Sequence, residues 1–174
     1  MQERSFPLAI KKYREFQEGA HCEVLYNTMI STARPNVPHQ LIAVKLSALL
    51  YNFLNKTKIG VVFKRGIDVY LEKQESVVHP DALVIMNENL GIVHADAIYG
   101  VPDIIFEILC ENRAYDKIKK KALYEDAGVK EYFIIDPADK MVIMFARNID
   151  GRYELVYELK GKITSEVLAA SFDL

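Results

Sequence analysis

Two acids stand where strands are expected, and a lysine-rich helix follows them. Glu107 is the one charged residue in the apolar run over residues 104–109, inside "VPDIIFEILC". Asp81 opens a second apolar run, "DALVIM", directly after Pro80. Asp103, also behind a proline, is a third candidate. A short apolar run reads as a buried strand, and an ionised carboxylate is costly to bury unless something pairs with it. On a strand, Glu107 shares its face with Ile105 and Leu109. With the two runs as neighbours in one sheet, Asp81 and Glu107 oppose each other, Cβ atoms about 5 Å apart. Like charges at that distance require a proton on one or a cation between them. Carboxylate oxygens are hard ligands that suit magnesium or manganese. A salt bridge from Glu107 to a lysine of the following helix satisfies the same acid without metal, and the residues leave both readings open.

That helix, expected over residues 113–127, carries Lys117, Lys119, Lys120 and Lys121. One reading is a solvated face balanced by Glu125 and Asp126. The other aims one lysine at the carboxylates and leaves the rest for phosphate, which supplies affinity without sequence specificity. Asp116, Lys120 and Tyr124 step by four residues and so drift slowly around a helix. With Ile118, Ala122 and Leu123 as the buried side, a helical wheel places Lys119 nearest the core and Lys120 further out. Lys11, Lys12 and Arg14 form a weaker basic patch. His39 opens another helix and reads equally as a terminal polar residue, a dimer contact or a site residue. His79 and His94 lack the convergent spacing of a histidine metal site. The chain has no G-x-S-x-G elbow and no phosphate-binding glycine loop, which counts against serine hydrolases, nucleotide binders and dehydrogenases.

The elements that must position these residues follow from periodicity. A helix is expected over 6–19, with Phe6, Ala9, Ile10, Tyr13 and Phe16 on one face. "CEVLYNTMIS" reads as one strand and "TARPNVP" as a loop. Ile42, Leu46, Leu49, Leu50 and Phe53 recur at helical spacing over 39–54. "IGVVF", "IDVYLE" and "DALVIM" read as an antiparallel meander, with "KRG" as the tight turn joining the first two. A polar stretch, "NENLGIVHADAIYGVP", reads as a loop. Strand 103–110 is apolar on both faces, as a central strand should be. It leads through the lysine helix, capped by Gly128, to a parallel partner over 131–136. "DPAD" and "NIDG" turn into two further strands, and the tail reads as a short strand or packed extension. This order specifies an α/β (α+β) fold, a mixed sheet with helices packed on it.

The 174 residues suggest one domain, 1–174. A hydrophobic content of 51% supplies a core, and the net charge of -2 is far from that of a strongly basic nucleic-acid binder. Any nucleic-acid contact must therefore use local patches. No apolar run reaches the length of a membrane span, since Lys45 and Asn52 interrupt residues 41–54. "MQERSFPLAIKKYREFQ" lacks the apolar core of a secretion signal. Two cysteines are too few for a disulfide framework, so a reducing cytoplasm is the simplest setting.

"HPDALVI", "VPDIIFEIL" and "RAYDKIKKKALYEDAGVKEYFIIDP" together resemble the bacterial Uma-two endonuclease family, of the restriction-endonuclease-like PD-(D/E)xK superfamily. "EVLYNTMI" and "HQLIAVKLSALL" resemble its N-terminal strand and helix. The resemblance implies a restriction-endonuclease-like mixed β-sheet flanked by helices. It also implies hydrolysis of DNA phosphodiester bonds with magnesium or manganese. Asp81 matches the first acid and Glu107 the second, with the backbone carbonyl of Ile108 as a further metal ligand. The superfamily's lysine two residues after the second acid is missing, since Leu109 stands there. The family pattern takes it from the helix, as Asp116, Lys120 and Tyr124, and so selects Lys120 over Lys119. Glu23 matches an auxiliary N-terminal acid and His39 a helix-opening histidine. A homodimer, with one site per strand of a duplex, is implied by the superfamily alone. The chain departs from the family at Cys110, Glu111, Asn112 and Arg113, where a Ser-Pro-Ser-Thr-like stretch is usual. It departs also at Asn27, a usual glycine, and Phe133, a usual tryptophan. The altered mouth keeps an alternative in play: a catalytically degenerate nucleic-acid-binding or protein-interaction domain on the same fold.

Overall fold

The computed structural model of the chain describes residues 6–15, 21–110 and 115–174. Helix α1 (Leu8–Glu15) buries Ala9 and Ile10; its expected extension, Phe16 included, lies outside the described residues. Strands β1 (Cys22–Leu25) and β2 (Thr28–Ser31) form a hairpin where the sequence reads as one strand. Tyr26 and Asn27 take left-handed conformations, φ 46° and 57°, and make a two-residue turn between them. Asn is at home there, but a tyrosine in front of it carries no turn signal and hides the break.

Helix α2 (Val37–Thr57) starts where the Asn36 side chain accepts the N–H of His39 at 3.0 Å, with Pro38 in the first turn. It ends where Lys58 turns left-handed and donates to the Leu54 carbonyl. Ile42, Leu46, Leu50 and Leu54 make its buried stripe. The strands after it are β3 (Gly60–Lys64), β4 (Val69–Leu71), β5 (Ser76–Val78), β6 (Ala82–Met86), β7 (Ile98–Tyr99) and β8 (Ile104–Ile108). A π-helical turn (Tyr115–Lys120) runs into helix α3 (Lys121–Ala127), which Gly128 ends at φ 96°. Strands β9 (Glu131–Ile135), β10 (Met141–Arg147), β11 (Tyr153–Lys160), β12 (Lys162–Ser165) and β13 (Ala170–Asp173) complete the chain.

Among the described residues, one sheet has the order β2-β1-β5-β4-β7 and a second the order β11-β10-β9-β8-β6-β3, with β12-β13 as a separate hairpin. The expected meander is therefore wrong. β3 pairs with β6, while β4 crosses to the other sheet and pairs with β5 and β7. β5, which the sequence reading passes over, gives β4 its partner. The crossing buries Val69 and Leu71 between the sheets, against Leu83, Ile85 and Ile105. As expected, β8 is central, antiparallel to β6 and parallel to β9, with α3 on the crossover. Helix α2 and the β12-β13 hairpin cover the far face of the six-stranded sheet, and α1 covers the outer face of the other. The result is a mixed β-sheet flanked by helices, the fold class that the element order specifies. No helix among the described residues is long and apolar enough to cross a membrane.

Candidate active site

The site grows from one row across three strands. β6 pairs Ala82 with Phe106 of β8, so the next step places Asp81 opposite Glu107. β3 pairs Lys64 with Ala82, and the N–H of Arg65 continues that ladder to the Asp81 carbonyl at 3.0 Å. Arg65, Asp81 and Glu107 therefore stand side by side at one end of the sheet. Leu83 and Ile105 belong to the core between the sheets, so alternation turns Asp81 and Glu107 into that gap. Both are almost fully buried, at 3% and 2% exposure.

Each acid is met by a cation. The Lys120 ammonium lies 2.9 Å from Glu107 Oε1 and 3.0 Å from Glu23 Oε1. Glu23 reaches this point from β1, so the bridge ties the two sheets together. The Tyr124 hydroxyl, one helical turn beyond Lys120, donates to Glu107 Oε1 at 2.7 Å. The backbone N–H of His79 donates to Glu23 Oε1 at 2.8 Å. Asp81 Oδ2 receives His39 Nε2 at 3.0 Å and the N–H of Ile108 at 2.8 Å, and Oδ1 receives Arg65 Nη1 at 3.2 Å. The Asn36 cap that starts α2 thus also sets His39 against the site.

The charges follow from this geometry. Burial pushes the carboxyl of Asp81 up, but hydrogen bonding and charge from His39, the Ile108 N–H and Arg65 outweigh it and hold it below the ordinary range. Burial likewise raises Glu23, and the Lys120 charge with the His79 N–H overrides it to lower the group. Burial lowers His39; the hydrogen bond to Asp81 and the Asp81 charge outweigh it and raise it to about 9. The pairing with Asp81 therefore favours the imidazolium form of His39. Its Nδ1 meets no hydrogen-bond partner among the described residues. The Tyr124 hydroxyl is raised well above 10, by burial first and then by the Glu107 and Glu23 charges, so it stays a donor.

The residues expected from sequence fare differently. Asp81, Glu107, Lys120 and Glu23 come together, with the Ile108 backbone beside Asp81. Lys120 is 4% exposed, whereas Lys119 points to solvent, so the wheel that favours Lys119 is overturned. Its supposed inner residues misled it: Ile118 is 67% exposed and Ala122 is exposed, and the true buried pair is Leu123 and Tyr124. Lys120 precedes these by three and four residues and shares their face. Upstream of Lys120 the π-helical turn breaks the 3.6-residue step altogether. The side chain of Asp116, and residues 111–113, lie outside the described residues. Asp103 is not in the site; it accepts Met86 N–H, Asn89 Nδ2 and Lys130 Nζ, each at 2.7 Å, and latches β8 to the start of β9. Arg65 was missed, because "KRG" reads only as a turn. Its place follows from the β3–β6 register, which sets Arg65 opposite Asp81 and which the expected meander did not contain.

A mixed sheet flanked by helices, with buried acids on adjacent strands and a lysine after the central strand paired with the second of them, fits a restriction-endonuclease-like protein. A family model described as "Putative restriction endonuclease", the Uma2 family, matches residues 9–172, and the chain belongs to that family. Its fold matches the crystal structure of "a putative nuclease belonging to DUF820 from Anabaena variabilis ATCC 29413" with a TM-score of 0.73. That match is at 17% identity over 94% of this chain and 92% of the other. No curated protein matches the chain.

Proposed function

We propose that this chain is a divalent-metal-dependent endonuclease that hydrolyses phosphodiester bonds of DNA. The observation that carries the reading is the pairing of Asp81 and Glu107 on adjacent strands with the Lys120 ammonium on Glu107. Membership of a family described as "Putative restriction endonuclease" supports it.

The donor set fits a hard cation. Leu109 donates its N–H to Ile135 of β9 at 2.8 Å, so Ile108 turns both its N–H and its C=O the other way, towards Asp81. Among the described residues no three His, Cys, Asp or Glu side chains group closely enough to hold a metal by themselves. A cation here would rest on the carboxylates of Asp81 and Glu107 and the carbonyl of Ile108, completed by water, as magnesium and manganese sites commonly are. When bound, such an ion lowers the pKa of a water and offsets charge building on the phosphate. Lys120, anchored by Glu23, would orient the attacking water. Tyr124 fixes the Glu107 carboxylate so that it presents one geometry. His39 holds Asp81 by one oxygen and keeps it ionised.

A second reading is favoured by one observation: Glu23, Glu107 and Asp81 are already matched by Lys120, Arg65 and a protonated His39. On that reading the site is degenerate, and the chain is a nucleic-acid-binding or protein-interaction domain. Manganese titration with supercoiled plasmid separates the two. Nicking that vanishes in Asp81→Ala and Glu107→Ala supports the enzyme. Manganese uptake without nicking supports the degenerate site, and no uptake at all removes the metal from the account.

A further inference from the structure

We propose that Arg65 is a two-position residue: it neutralises Asp81 while the site lacks metal, and passes to a substrate phosphate when a divalent cation takes Asp81. The inference rests on the nuclease reading above and assigns the regulation of that same site.

Three observations carry it. First, Arg65 covers the one Asp81 oxygen that the fixed groups leave. Oδ2 is held by His39 and the Ile108 N–H, at 3.0 and 2.8 Å, whereas Oδ1 receives Arg65 Nη1 at 3.2 Å. An ion shared with Glu107 must compete for an Asp81 oxygen, and Oδ1 is the one guarded by a movable side chain. Second, Arg65 is the outermost cation of the cluster. Its side chain is 29% exposed, against 1% for His39 and 5% for Lys120. It sits at the mouth and can leave without stranding itself in the core. Third, its backbone is held independently of its side chain. The N–H of Arg65 holds the Asp81 carbonyl at 3.0 Å, and Gly66, at φ 115°, turns the chain away directly afterwards.

The chemistry suits the exchange. Burial lowers the basicity of Arg65 beside Asp81, and the charges of Asp81, Glu107 and Glu23 more than restore it; a guanidinium keeps its charge wherever it moves. A guanidinium fork matches phosphate oxygens in a way that an ammonium does not. Metal and phosphate then help each other: the metal frees the arginine for phosphate, and phosphate draws the arginine off the metal's oxygen. Such coupling is reciprocal.

Calorimetry with calcium, which avoids turnover, and a short DNA duplex reads both directions. Arg65→Ala is expected to bind calcium roughly three- to tenfold more tightly than the native chain without DNA, since a competing ion pair is gone. The strengthening of calcium binding by the duplex, present in the native chain, is expected to disappear in the variant. Arg65→Lys keeps the charge and the fold, and is expected to fall between the two. Calcium affinity that is the same in all three overturns the inference. So does a DNA-binding loss of equal size with calcium and with EDTA, which marks a fixed phosphate contact. A native chain that takes up neither calcium nor manganese overturns the nuclease reading itself; uptake that ignores Arg65 overturns only this proposal.

Discussion

Strands β8 and β9 lie side by side, and each buries a glutamate to 2% exposure, yet the two acids live differently. Glu131 of β9 accepts the backbone N–H groups of Glu166 and Val167, at 2.7 and 2.9 Å, and the Ser165 hydroxyl. Its donors are neutral and belong to the turn between β12 and β13. Burial, opposed by those donors, raises its carboxyl above the ordinary range. Glu107 of β8 meets the Lys120 ammonium and the Tyr124 hydroxyl, both at the ends of buried side chains. The fold gains from Glu131 a clamp on its C-terminal hairpin. From Glu107 it gains a buried ion pair, which well-packed apolar residues often match or exceed in stability. Burial alone thus does not mark a site. What marks it is an acid balanced by a side-chain charge rather than by backbone and hydroxyl donors alone.

The largest effect expected from this contrast is on activity. Glu107→Gln lowers manganese-dependent plasmid nicking by about 10³-fold or more. Glu131→Gln leaves the rate per folded molecule at the native level. Equal losses in the two variants, with the fold intact by circular dichroism, would break the contrast. Next comes Lys120→Met, which removes the ammonium between Glu23 and Glu107 and costs about 3–5 kcal/mol in urea unfolding. Manganese restores part of that loss, because an ion bound only by the folded chain stabilises it. Glu131→Ala strands two N–H groups and costs about 2–3 kcal/mol in the same assay, with no recovery by manganese. Recovery in both variants would mean that the metal acts elsewhere.

The smallest effect is a pH dependence. His39 is raised from 6.5 to about 9 in the folded chain, so its pairing with Asp81 contributes stability that is complete below about pH 6.5 and lost as pH rises through about 9. The stability gap between the native chain and His39→Gln is expected to shrink by on the order of 2 kcal/mol between pH 6 and pH 10. A gap that stays constant would show a neutral histidine. Glu131 variants are expected to have no such dependence in that window.

Much of the fold was legible because its strands are short apolar runs and its helices carry clear stripes. Helix α2, strands β6, β8 and β9, and the Gly128 cap all follow from residue pattern. The acids Asp81 and Glu107 were legible for the opposite reason, as residues that the pattern does not explain. Three things were hidden. The sheet exchange at β4 depends on packing between two sheets, and "IDVYLE" carries no mark of which sheet it joins. The choice of Lys120 was obscured by Ile118, an apolar residue that faces water. The role of Arg65 depends on register, a relation between strands that no single stretch of sequence contains. The family resemblance pointed to Lys120, the lysine that is buried beside Glu107, where the helical wheel pointed to the exposed Lys119, because the wheel infers a neighbour only from apolarity.

The bridge from Lys120 to Glu23 also bears on the order of events during folding. Its two ends come from opposite thirds of the chain. A ribosome releases Glu23 and Glu107 before Lys120, so the emerging sheets carry these two acids without the ammonium that joins them. The cluster closes only when the turn at Tyr115–Lys120 docks, and such distant contacts form late and slowly. Chains cut short before that helix are expected to hold open sheets with repelling carboxylates, prey for proteases rather than half-built nucleases.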